Sequence, residues 1–143
     1  MPTGDGRYAV AMSTQDPNIQ EHLLGELGIS WFLDFGDDLS NVPSGAQKVP
    51  RVRMGVTASE KEAPPTCPSS GITAVDLMNP ATIQAKTAEQ PGSYWYLGGE
   101  SNVGTQDALC ATIFAEAFHY YWQEIKGADP TAKVMSASVL NWD

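Results

Sequence analysis

The sequence predicts an α/β fold: one domain over residues 1–143, with about five parallel strands and flanking helices. Three observations carry that expectation. Short apolar runs rich in strand formers alternate with stretches whose apolar residues recur every three or four positions. The helical stretches are bounded by caps, Gly and Pro. The resulting order, β-α-β-(loop)-β-α-β-α-β, calls for parallel strands joined by right-handed crossovers.

Taken in order, Arg7 to Met12 (RYAVAM) reads as the first strand. Asp16-Pro17 then offers an N-cap followed by a proline at the first helical position, and Ile19, Leu23, Leu24 and Leu27 recur at helical spacing up to Gly28. Ile29 to Phe35 (ISWFLDF) is nearly continuous in apolar residues, as in a strand covered on both faces, and stops at Gly36-Asp37-Asp38. Asp37 to Lys48 is too short and too rich in turn formers for a crossover helix and reads as loop. Val49 to Met54 (VPRVRM) predicts a third strand, with Pro50 unable to donate to the ladder and two arginines that are unusual inside a strand. Gly55 to Asn79 is a long irregular segment of the kind that tends to carry function or motion. Asn79-Pro80 starts a helix that runs to about Glu89, where Pro91-Gly92 stops it. Ser93 to Gly98 (SYWYLG) is the fourth strand, and Gln106 to Lys126 is the strongest helical pattern in the chain. Lys133 to Val139 is the fifth strand, followed by Leu140 to Asp143.

Two architectures fit this order: an open doubly wound sheet, or part of a (β/α)₈ barrel, which needs about 200–250 residues when complete. Both place ligands at the carboxyl ends of the strands. That rule selects Asp34 to Asp38, Met54 to Thr57, Gly99 to Gln106 and Asn141 to Asp143.

The charge balance narrows the function classes. With 8 Lys+Arg against 17 Asp+Glu and a formal charge of −9, the chain lacks the positive field that nucleic acid or an anionic membrane surface requires. No apolar run is long enough to span a membrane, and Met1 to Gly6 does not read as a secretory signal. Cys67 and Cys110 have no neighbouring Cys or His at ligand spacing, so neither a disulfide framework nor a metal site can be argued, and no cofactor is expected. His22 and His119 sit within helices without companion ligands.

Glu100 is the sharpest candidate, a carboxylate placed directly after an aromatic strand at the rim of a cleft, a setting that suits proton donation. The Gly98 to Gly104 loop lacks both the G-x-G-x-x-G order and a Gly-Lys-Ser/Thr, and Ser101 lacks the G-x-S-x-G setting of a nucleophile elbow. Asp34 stands close enough to its strand end to bind a hydroxyl, and Trp142 can serve as a platform for a sugar ring.

The segment WYLGGESNVGTQDA, followed by FAEAFHYYWQEIKGADPTAKV, resembles glycoside hydrolases of clan A. In these an aromatic strand ends in Asn-Glu-Pro, a loop with Gln-Asp comes next, and then a helix of similar form. LGISWFLDFG resembles a Ser-Trp-Tyr strand of the endo-β-1,3-glucanase-like families in that clan. The resemblance implies a partial (β/α)₈ TIM barrel acting on a β-linked polysaccharide by retaining hydrolysis. Glu100 would be the acid/base at the end of strand four. Asp34, Asn102, Gln106, Asp107, Asn141 and Trp142 would form the substrate-binding set. A carbohydrate is thus the expected partner, and homologous enzymes are commonly exported. Two departures stand out: Gly99 replaces the clan's Asn, and Ser101 its Pro. The clan's nucleophile lies on strand seven, beyond the fifth strand with which this chain ends, so the 143 residues by themselves are expected to be inactive. The alternatives are a non-catalytic carbohydrate-binding protein on the same fold and a complete doubly wound α/β binding domain.

Overall fold

The computed structural model describes residues 9–56, 67, 69–103 and 106–138, with Ala137 and Ser138 described by backbone alone. Among these residues the expected elements are present, in a parallel α/β arrangement with three α-helices. Strand β1 (Ala9–Ala11) leads to helix α1 (Pro17–Leu27). The Asp16 side chain accepts a hydrogen bond from the Asn18 N–H at 2.9 Å. Gly28, at φ 62°, ends the helix in a left-handed conformation that costs glycine nothing. The apolar residues of α1 divide between two faces. Leu24 is buried against Met12 and Phe32, whereas Ile19, Leu23 and Leu27 lie exposed along an adjoining stripe.

Strand β2 (Trp31–Leu33) pairs with β1 on one side and with β3 (Gln47–Val49) on the other, both in parallel. The expected third strand is split by Pro50 into β3 and β4 (Arg51–Val52). Pro50 has no N–H to give, but its carbonyl accepts from Tyr96 N at 3.0 Å, and Arg51 N donates to the Gly36 carbonyl at 3.2 Å. The chain therefore keeps its direction across the proline and joins two three-stranded sheets. The second comprises β4, β5 (Tyr94–Glu100) and β6 (Lys133–Ser138), again parallel.

Counting β3 and β4 as one line, strand order follows chain order without reversal. A doubly wound sheet needs one reversal, so that alternative does not describe these residues.

Alternation assigns the two faces of the wall. Phe32, Val52, Trp95 and Leu97 are buried, and the last three pack with Ile113, Ala117, Tyr121 and Ile125 of α3 (Ala111–Ala128) and Ile83 of α2 (Pro80–Glu89). Trp31, Leu33, Arg51, Tyr94 and Tyr96 alternate with them and take the other face, where Trp31 and Tyr94 meet with ring centroids 4.7 Å apart.

Helix α3 begins at Ala111, five residues after the expected Gln106. Asp107 is turned inward, Ala108 adopts φ 57°, and Leu109 N donates to the Ser101 carbonyl at 2.7 Å, so the segment is held as a turn. Cys110, the N-cap, is joined to Cys67 by a disulfide that the spacing of the cysteines did not disclose.

Tyr121 is fully buried, and its hydroxyl accepts from Met78 N at 2.8 Å. Burial pushes its pKa up to about 12, from an ordinary value of 10.0. The folded state thus favours the neutral phenol. The resulting stability is intact below pH 10 and is lost as pH rises toward 12. Alkaline unfolding followed by circular dichroism should show this loss, and Tyr121→Phe should flatten it.

Candidate active site

The carboxyl end of β5 is the centre of the site. Gly98 has φ 91°, and a bulge lies between Leu97, opposite Ser136, and Glu100, opposite Ser138. The extra residue bends the strand end and re-aims the side chains beyond it. Gly99 and Glu100 come to line a cavity of about 530 Å³ together with Leu33, Phe35, Arg51, Arg53, Tyr96 and Gln106. Glu100 is half-buried, and among the described residues its carboxylate makes no ion pair and accepts no hydrogen bond.

Asp107 holds this end of the strand in place from beneath. Its side chain is fully buried, and Oδ2 accepts from Gly99 N at 2.7 Å. Oδ1 accepts from Arg53 Nε at 3.1 Å and from Nη2 at 2.9 Å. Arg53 Nη2 also donates to Gln106 Oε1 at 3.2 Å. Asp107 therefore fixes the strand backbone and Arg53 beside the cavity without lining it.

The expected acid/base Glu100 lines the cavity; of the residues expected to bind substrate, Gln106 lines it too, Asp107 lies behind it, and half-buried Asn102 stands in the same loop. Asn141 and Trp142 lie outside the described residues. Asp34 does not reach the cavity. Being two residues after Phe32, it shares the helix-facing side, while Leu33 and Phe35 share the other. It is buried and paired with Lys48 Nζ at 2.8 Å, accepting also from Gln20 Nε2 at 3.0 Å and from Gly36 N at 2.8 Å. Asp34, Lys48 and Gln20 line a separate hollow of about 120 Å³ with Gln15, Asp38 and Asn41.

Sequence reasoning missed Arg51, Arg53 and Tyr96 as cavity residues, whereas Phe35 falls within the strand-end range Asp34 to Asp38. The signal was available: arginines two apart in VPRVRM must share one face of the strand, and two cations on one face of a strand need something to meet. Arg51 Nε donates to the Gly98 carbonyl at 3.3 Å, and its guanidinium lies 5.2 Å from the Phe35 ring centroid. A Cβ built at Gly99 would collide with Arg51 Nη2. The guanidinium therefore occupies the space that any side chain at 99 would use.

Among the described residues no group of three or more His, Cys, Asp or Glu could hold a metal ion, and no helix is long and apolar enough to cross a membrane.

No family model matches the sequence, and no curated protein matches it. A solved structure does match: a GH128 (subgroup I) endo-β-1,3-glucanase from Amycolatopsis mediterranei in complex with laminaritriose, at 14% identity and a TM-score of 0.59. The match covers 96% of this chain and 46% of that one, so the chain spans about half the length of the glucanase. At that identity the likeness is one of fold, and the fold of this chain is glycoside hydrolase-like.

Proposed function

We propose that the wall of parallel strands is part of a (β/α)₈ barrel that binds a β-linked oligosaccharide at its carboxyl rim, with Glu100 as the proton donor of a retaining glycosidase. The observation that carries the reading is the position of Glu100. It ends a bulged strand, its carboxylate is unpaired among the described residues, and it opens into a cavity walled by Phe35 and Tyr96. Aromatic faces beside a polar centre suit the apolar faces and hydroxyl edges of sugar rings. The likeness to a glucanase solved with a bound β-1,3-linked trisaccharide supports the same substrate class.

Retaining hydrolysis uses two carboxyls about 5–5.5 Å apart, one attacking the anomeric carbon while the other protonates the leaving oxygen. Asp107, the carboxylate behind the cavity, is engaged by Arg53 and Gly99. The nucleophile is assigned to a strand of the barrel outside this chain. The 143 residues are accordingly expected to bind laminaritriose in a calorimetric titration but to release no reducing ends from β-1,3-glucan.

Within a complete barrel, Glu100→Gln should lower turnover by about 10²–10⁴-fold while glucan binding persists. Undiminished turnover in that variant would remove the acid/base role. A purely binding function is the second reading, favoured by Gly99, which offers a ligand no side chain beside Glu100. It predicts glucan binding by the complete barrel with no turnover even before substitution.

A further inference from the structure

We propose that Arg51 selects the ligand of this cavity, and that the ligand is an acidic oligosaccharide carrying a carboxylate on the unit beside Glu100. The inference rests on the carbohydrate-binding reading above and adds to it the charge of the sugar. Two arginines line the cavity, and their situations differ. The charge of Arg53 is matched by the buried Asp107 carboxylate at 2.9 Å. Arg51 has no carboxylate partner among the described residues.

Arg51 is nonetheless held in place. Its Nε is fixed on the Gly98 carbonyl, its plane lies near the Phe35 ring, and the bare backbone of Gly99 admits its Nη2 edge. A half-buried, oriented guanidinium with no counter-charge is a ready partner for a planar carboxylate, which it can meet with two parallel hydrogen bonds. Glu100, the proton donor of the reading above, forms no ion pair with Arg51, so the guanidinium is left to the carboxylate of an acidic sugar. The chain as a whole carries −9, so its long-range field disfavours anions. Any preference for an acidic sugar must arise from this local contact.

The test uses the 143-residue chain and two matched probes, laminaritriose and the same trisaccharide oxidised at C6 so that each unit bears a carboxylate, titrated by calorimetry at low salt. The expected result is binding of the oxidised form about tenfold tighter or more, with the preference abolished by Arg51→Gln. Gly99→Ala keeps the arginine but puts a methyl where the guanidinium lies; it should reduce the preference, with the circular dichroism spectrum unchanged. Equal or tighter binding of the neutral sugar overturns the proposal while the carbohydrate reading stands. A preference that survives Arg51→Gln overturns it as well. Binding of neither probe overturns both readings.

Discussion

Lys48→Met is expected to destabilise the fold by about 3–5 kcal/mol, the range for breaking a buried ion pair from one side. Both partners are shielded, with side-chain exposures of 7% for Lys48 and 1% for Asp34, and they meet at 2.8 Å. Methionine fills much the same volume, so the loss would come from the stranded Asp34 carboxylate, left with only the Gln20 and Gly36 N–H groups. Removing both charges, as Asp34→Leu with Lys48→Met, should recover a large part of the deficit, because no isolated charge then remains in the interior. Urea unfolding of the two single variants and the double variant closes the cycle. A single-variant cost within 0.5 kcal/mol, roughly the scatter of neutral surface changes, would refute the account. The effect should also reach the site. Asp34 Oδ1 fixes Gly36 N, and the Gly36 carbonyl receives Arg51 N at 3.2 Å, so the pair anchors the backbone that presents Phe35 and Arg51 to the cavity.

The same residues show what the sequence could disclose. Local signals are sufficient for α1 and α2, because a capping side chain, an N1 proline and, for α1, a terminal glycine each act within a few residues of where they stand. They also suffice for β5, whose aromatic run has few alternatives. Position 100 is legible as a strand end for the same reason. Features set by partners distant in sequence are not. Asp34 reads as a rim residue until Lys48, fourteen positions on, claims it from the helix side. Propensity favours helix from Gln106, whereas Asp107 is drawn to Arg53 and Gly99, and those tertiary bonds override local preference and delay the start of α3. The arginines of VPRVRM stand out in sequence only as a blemish in a strand, since their worth depends on a cavity formed with β2 and β5.

The second large effect concerns the Cys67–Cys110 bridge, whose cysteines are 43 residues apart. In the chain-entropy model, closing a loop of that length in the unfolded state stabilises the fold by about 4 kcal/mol. Cys67→Ser with Cys110→Ser, or reduction of the native chain, should therefore move the urea midpoint down by the corresponding amount, with a smaller change in slope. The consequence for the site comes from position. Cys110 caps α3 and stands directly after Gln106 to Leu109, the turn that carries Asp107 under Gly99. With the bridge open, that turn depends on its remaining ties, among them Val56 N to the Asp107 carbonyl, Leu109 N to Ser101, and Asp107 to Arg53. Ligand affinity should then fall more steeply with added urea than in the oxidised chain, well before global unfolding, because the Glu100 rim loosens first. A thiol count of zero on the purified oxidised chain, rising to two on reduction with the stability loss above, is the expected result. Equal stability with and without reductant would show that the bridge constrains nothing. A bridge of this kind persists in oxidising surroundings and opens where thiols are kept reduced.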